Sequence, residues 1–298
     1  MSNLTVTRYQ HINAFLKETE PHLQQQEIKN TFVLITAYQL QKAKENESHY
    51  YCGAIWDSNK HNLIFALLAQ DNGFLYASAL YGDSYPEAIG LLTGNLLKTK
   101  ITIQGLHGYQ PVLNTLRDSI EMQSSMTFVK KFATLSYQLK EVKWPSQAKE
   151  IAQAKSTSLR IASSSTPEDI EILRQWTYNF IQDAFDDPKV ITQSVDSICQ
   201  DMIASKGLYL MCIDGVPVSM AWKVRPLRHG TSLAYVYTPS EHRNKGYGAA
   251  CVAMTSEAIL KEYEYITLFC DMKRFGDNLY TRLGYTYFGE AGRLERLS

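Results

Sequence analysis

Short apolar runs bounded by turn residues alternate with longer stretches in which apolar side chains recur every three or four positions. This alternation predicts a mixed α/β protein. In the first half it predicts helices over residues 7–17 and 27–40, then strands over 51–56, 63–69 and 74–79. The breaks Asp57-Ser58-Asn59 and Asp71-Asn72-Gly73 carry hairpin chemistry. A helix with Pro86 in its first turn follows to residue 97, then a strand over 101–103, a helix over 112–121 and a long strand over 127–139.

The second half repeats this order. A strand over residues 159–162 leads to Thr166-Pro167-Glu168-Asp169, which opens a long helix with Ile170, Leu173, Trp176, Thr177 and Phe180 on one face. A helix over 191–204 comes next, then strands over 208–213 and 216–224 joined by the tight-turn pair Asp214-Gly215. The remaining elements are a strand over 232–237, a helix over 246–261, a strand over 265–270, a short helix over 278–283 and a last strand over 286–288. A three-strand meander, helix, strand, helix, strand thus occurs twice. Residues 144–158 (WPSQAKEIAQAKSTS) hold almost no large apolar side chain and read as a linker. The expected fold class is α/β, with a mixed, mostly antiparallel sheet flanked by helices, as two tandem domains over residues 1–143 and 159–298.

Composition removes several functions. The 30 Lys+Arg balance 30 Asp+Glu, and phosphate neutralisation along a nucleic acid needs a basic surplus, so no nucleic-acid partner is expected. No run approaches the roughly 20 apolar residues of a membrane span. The first thirty residues show no apolar core of a secretory signal, so a cytoplasmic protein without a membrane partner is expected. Cys52, Cys199, Cys212, Cys251 and Cys270 are odd in number, widely spaced and without CxxC, which points to buried reduced thiols. No His/Cys cluster has metal-site spacing, so no metal is expected.

Chemistry concentrates in AYVYTPSEHRNKGYGAACVAMT, residues 234–255. An apolar strand runs into Thr238-Pro239, then the basic loop Arg243-Asn244-Lys245, then Gly246 and Gly248 at the start of a helix. Such a loop turns successive backbone N–H groups towards one point, and the positive end of the helix dipole adds to them. The arrangement suits a diphosphate, with Arg243 and Lys245 adding charge at the rim. Neither GxxxxGK[ST] nor GxGxxG is present, and a glycine-assisted helix start is the plainer reading of the two glycines.

A second stretch, ITLFCDMKRFGDNLYTRLGY over residues 266–285, ends a strand at Asp271 and starts a short helix at Asn278-Leu279-Tyr280. Together the two stretches resemble the GCN5-related N-acetyltransferase (GNAT) superfamily. Its Q/R-x-x-G-x-G/A loop binds the coenzyme A diphosphate, and here it reads Arg243-Asn244-Lys245-Gly246-Tyr247-Gly248. The run Val236 to Pro239 and the N-x-Y-x-R-x-G-Y ending, Asn278 to Tyr285, resemble one bacterial-type branch. The resemblance covers residues 159–298. For the first half it is only the order of elements, implying a degenerate acetyltransferase-like domain without the phosphate loop. One family feature departs: Asn-Pro-x-Ser-Asn is replaced by Arg274-Phe275-Gly276-Asp277-Asn278.

The resemblance implies direct transfer of an acetyl group from acetyl-CoA, as co-substrate, to the amine of a small molecule or peptide. The implied cofactor contacts are Val236, Tyr237, Thr238, Arg243, Asn244, Lys245, Gly246, Tyr247, Gly248, Ala249 and Asn278. Backbone N–H near Val236 or Tyr237 would steady the thioester oxygen, and Tyr280 is the candidate general acid for the leaving thiolate. The base is open among Glu241, His242, Asp271 and a water chain. Asp183, Asp186 and Asp187 either attract a cationic amine or simply face water. The alternative function is a non-catalytic acyl-CoA-binding sensor. Monomer and homodimer both remain open.

Overall fold

The computed structural model describes residues 4–43, 50–57, 59, 61–70, 72–79, 85–185, 188, 191 and 193–297. Ser58 and Asp71 of the two expected hairpin turns, and Asp186 and Asp187 of the acidic cluster, lie outside them. The chain divides into two compact units, one of Met1–Thr134 with Gly289–Ser298 and one of Leu135–Phe288.

Unit 1 begins with β1 (Thr5–Tyr9), then α1 (Ile12–Leu23), α2 (Thr31–Ala43), β2 (Tyr51–Trp56), β3 (Leu63–Ala69), β4 (Phe74–Ala77), α3 (Tyr85–Leu97), β5 (Gly105–Tyr109), α4 (Val112–Gln123) and the first half of β6 (Phe128–Leu139). Two expectations shift. The helix read over residues 7–17 is preceded by β1, whose alternating TVTRY pairs antiparallel with β2 from Thr5↔Trp56 to Tyr9↔Cys52. The strand read over 101–103 falls instead at GLHGY, where two glycines weaken the local β signal and pairing with β4 decides the outcome. Ile55, Phe65, Leu67, Ile89 and Leu106 are fully buried in one cluster between this sheet and the α3/α4 side.

Unit 2 holds the second half of β6, α5 (Ser146–Gln153), β7 (Thr157–Ile161), α6 (Pro167–Ala184), α7 (Val195–Ala204), β8 (Leu208–Ile213), β9 (Val216–Val224), β10 (Gly230–Tyr237), α8 (Tyr247–Leu260), β11 (Tyr265–Asp271), α9 (Leu279–Arg282) and the start of β12 (Thr286–Arg296). Asp214 (φ 49°) and Gly215 (φ 81°) make the β8–β9 turn as expected, both left-handed. The linker reading of residues 144–158 does not hold, because α5 lies there. Ala148 is 1% exposed in the core, and a small residue of this kind gives little hydrophobic signal in sequence. The sheet is covered on one face by α8 and α5, over Leu233, Cys251, Ile266 and Leu268, and on the other by α6 and α7, over Leu173, Met202, Leu210 and Met220.

The repeated order appears in the pairing. Consecutive strands of β1 to β4 are antiparallel and β4 pairs β5 in parallel, and β7 to β11 follow the same scheme. In both cases a helix makes the parallel crossover, α3 or α8. The final strands are exchanged. The last residues of β12, from Ala291↔Tyr109 to Glu295↔Gly105, pair with β5, and β6 lies next to β11. The last strand is therefore much longer than residues 286–288, since Gly289 and Gly292 hide its continuation from a propensity reading.

Candidate functional site

The site grows from an irregularity in β10. Its ladder with β9 runs Ser232↔Val224, Leu233↔Lys223, Ala234↔Trp222 and then jumps to Tyr237↔Met220. Three steps on β10 oppose two on β9, so a bulge removes one residue from the ladder. Tyr235 sits in it at φ 48°, left-handed for a side-chain-bearing residue. On the other side, parallel pairing with β11 stops at Leu233↔Leu268, although β10 continues to Tyr237 and β11 to Asp271. The two strands thus run on unpaired to each other, with the bulge backbone at Val236 and Tyr237 on the edge of the gap. Val236 packs towards the α8 side and Tyr237 towards α6, its ring 6.1 Å from Trp176. Tyr235 is held between Phe180 (4.7 Å) and Trp222 (5.6 Å), and burial, opposed by Arg225, pushes its hydroxyl pKa up to about 12.

The loop after β10 leads into α8 through left-handed backbone. Asn244 (φ 61°) and Gly246 (φ 82°) are both left-handed, and no side chain caps α8. The first backbone bond of that helix is Ala250 N–H to the Gly246 carbonyl at 3.1 Å. From Asn244 to Ala249, no backbone N–H finds an acceptor among the described residues. Helix-start donors exposed in this way are able to receive an anion. Gly246 is also required sterically, since a Cβ there would lie 2.8 Å from Ile151 Cδ1 of α5. Gly248 is ordinary helix, with Thr238 Oγ1 3.1 Å from where its Cβ would be.

Thr238 anchors the loop. Ser219 donates to the Tyr237 carbonyl at 3.0 Å, which leaves the Thr238 hydroxyl as donor in its 2.9 Å contact with Ser219 Oγ. Arg243 is less available than the sequence reading had it. Its Nη2 donates to Asp183 Oδ2 of α6 at 2.6 Å, its Nε donates to the Thr238 carbonyl at 2.9 Å, and its guanidinium lies 5.5 Å from the Tyr237 ring centre. Asp183 holds the Arg243 pKa above its ordinary value. Asp183 is accordingly a loop clasp, and of the two rim cations only Lys245 is exposed without an ion pair among the described residues. Tyr247 is half-buried beside His242, 6.1 Å between ring centres, and Ala249 packs on the α8-side core.

Asn278 caps α9. Its Oδ1 accepts from Tyr280 N–H (2.8 Å) and Thr281 N–H (3.1 Å), and its Nδ2 donates to Tyr137 Oη and the Gly276 carbonyl, both at 3.2 Å. The carboxamide is fully occupied inside the protein, so a cofactor contact would displace one of these bonds. This reciprocal cap, with Thr281 Oγ1 accepting from Asn278 N–H, starts the helix with Arg274-Phe275-Gly276-Asp277-Asn278 in place of Asn-Pro-x-Ser-Asn. Tyr280 is half-buried on the cluster that also receives Val236, Tyr247, Ala249 and Cys270. Its neighbour Tyr285, 5.9 Å away edge-on, is fully enclosed with its hydroxyl 3.0 Å from Ser256, and burial raises its pKa. Of the two tyrosines, Tyr280 is the less enclosed.

Asp271 caps the following 3-10 turn by accepting from Lys273 N–H at 2.7 Å, and Glu241 is exposed. The sequence reading missed two features. Asp169, with no exposed surface, grips Arg160 through two 2.7 Å bonds and accepts from Ser163 N–H at 2.9 Å, while the Thr166 hydroxyl makes no capping bond. The other is α5 beside Gly246. An acid in a helix first turn signals a dipole partner, not a distant arginine, so no local pattern exposes the first. Four of the five cysteines are buried, and none is disulfide-bonded among the described residues. Among those residues there is no metal-binding group of three His/Cys/Asp/Glu, and no helix is long and apolar enough to cross a membrane.

No family model and no curated protein matches the chain. Solved structures do match in fold. A Drosophila protein superposes with TM-score 0.62 at 12% identity, covering 100% of this chain and 99% of its own. A GCN5-related N-acetyltransferase from Sphaerobacter thermophilus gives 0.53 at 10% identity, covering 98% and 95%. A GNAT-family acetyltransferase from Colwellia psychrerythraea gives 0.51 at 13% identity, covering 99% and 100%. The chain therefore shares the fold of these proteins over nearly its whole length.

Proposed function

We propose that this protein is an N-acetyltransferase, acting in unit 2, that moves an acetyl group from acetyl-CoA directly to the amine of a small molecule or peptide. The observation that carries the reading is the row of N–H groups from Asn244 to Ala249 without protein acceptors, beside a bulged strand parted from its neighbour. These donors, with Lys245, fit a diphosphate. Acetyl-CoA would supply an activated thioester. The bulge N–H at Val236 or Tyr237 would hold the carbonyl oxygen as it gains charge, and the Tyr280 hydroxyl would give its proton to the departing sulfur. The buried thiols fit a reducing, cytoplasmic setting.

The test is a thermal-melt titration with acetyl-CoA. A ligand at one hundred times its dissociation constant stabilises the folded state by roughly 2.7 kcal/mol. Gly248→Glu is the matched control, because Gly246 cannot change without strain at φ 82° and a clash with Ile151. A saturable shift lost in Gly248→Glu supports the reading, and no shift at millimolar acetyl-CoA overturns it. Thiol release on adding an amine then separates an enzyme from a binding module.

A further inference from the structure

The helix α5 stands between β6 and β7. It is fastened at both ends. Trp144 Nε1 donates to Glu257 Oε1 of α8 at 2.5 Å, and Thr157 Oγ1 donates to the Ile151 carbonyl at 2.6 Å. Ala148 seats it in the core. Gln147 and Ile151, four residues and one helical turn apart, both face Gly246. A Cβ on Gly246 would lie 2.8 Å from Ile151 Cδ1, 3.0 Å from Gln147 Cδ and 3.2 Å from Gln147 Cγ. The Gln147 carboxamide is exposed, has no hydrogen-bond partner among the described residues, and stands against the left-handed residue that starts the cradle.

Building on the acetyl-CoA reading, we propose that α5 forms a wall of the diphosphate site and that Gln147 Nε2 donates a hydrogen bond to a diphosphate oxygen. The glycine at 246 serves two purposes: its left-handed backbone starts the cradle, and its missing side chain lets α5 approach. A neutral donor beside a row of N–H groups adds recognition of an anion without creating a standing charge for the folded protein to neutralise. The segment that reads as a linker is thereby part of the binding site.

The experiment measures coenzyme A affinity calorimetrically for the full chain and for Gln147→Glu, Gln147→Ala and Gln147→Lys. A direct contact with an anion orders the variants by charge. Gln147→Glu should weaken binding about 10-fold or more, Gln147→Ala about 3-fold, and Gln147→Lys should match or exceed the unmodified protein, in the range of a single hydrogen bond to a charged group. Melting temperatures without ligand should stay together, since this exposed side chain makes no internal bond. Affinities that do not follow charge, whether all unchanged or all reduced alike, overturn the role of α5. If the unmodified protein binds no coenzyme A, the acetyl-CoA reading itself fails and this inference with it.

Discussion

The ends of β4 and β10 come at the same point in the order of elements, and the described residues that follow them use their N–H donors differently. In unit 1 the β3–β4 ladder is unbroken from Ala69↔Leu75 to Leu67↔Ala77, and it continues through Ser78 N–H to the Ala66 carbonyl at 2.9 Å. The next donor, Ala79 N–H, goes to Asn30 Oδ1 at 2.6 Å, and the fully buried Asn30 donates onward to the Leu23 carbonyl at 2.7 Å. In unit 2 one extra residue bulges β10, β11 parts from it, and the following loop turns left-handed at Asn244 and Gly246. Among the described residues, every non-glycine left-handed position (Lys206, Asp214, Arg225, Tyr235, Asn244) falls in unit 2. At the end of β4 the donors of Ser78 and Ala79 are used inside the unit, whereas after β10 the N–H groups of residues 244–249 have no acceptor among the described residues and the backbone carries left-handed strain.

Three single changes and one pair would break or sharpen this contrast. The largest effect is expected at Tyr280. Tyr280→Phe should lower kcat for thiol release by about 10²-fold or more, the range of general acid catalysis, with acetyl-CoA binding unchanged by calorimetry. Asn30→Ala should destabilise unit 1 by about 2–4 kcal/mol, because it strands a buried donor and a buried acceptor. Chemical denaturation would measure this, and the acetyl-CoA melt shift should survive in the variant.

The third change concerns acid. Burial opposes ionisation of Asp169, but the Arg160 fork and the Ser163 N–H outweigh it and hold the carboxyl below its ordinary range. The stability this contributes is present above the unfolded-state value of about 3.9 and is lost as pH falls through the folded value. Its size is reduced because Arg160 is 37% exposed and solvent screens the pair. Denaturation midpoints compared between pH 6 and pH 3 should fall less steeply in Asp169→Asn. The smallest effects are a matched glycine pair. Gly90→Ala, in α3 with nothing within 4 Å of the new Cβ, should stabilise by about 0.5–1 kcal/mol, whereas Gly246→Ala should destabilise by about 1 kcal/mol or more.

The loop ahead of α8 was legible because it is local. The run from Arg243 to Gly248 carries the loop, the left-handed Gly246 and the helix start within one short stretch, and Asp214-Gly215 likewise contains its own turn. What escaped depends on distant partners. Arg243 reads as a rim cation until Asp183, 60 residues away, is seen to clasp it. Asn278 reads as a ligand contact until Tyr137, 141 residues away, takes its amide. The strand β12 reads as a short tail until β5 supplies its ladder.

By itself, the sequence determined the alternation of elements, their twofold order and the glycine loop ahead of α8, since each follows from side-chain periodicity or backbone freedom within a few residues. Only tertiary structure decided that the final strands exchange places, that β10 bulges away from β11, and that α5 is a packed helix against Gly246. Those outcomes rest on pairing and steric fit between residues far apart in the chain, where local propensity is a weak prior and the packed partner prevails.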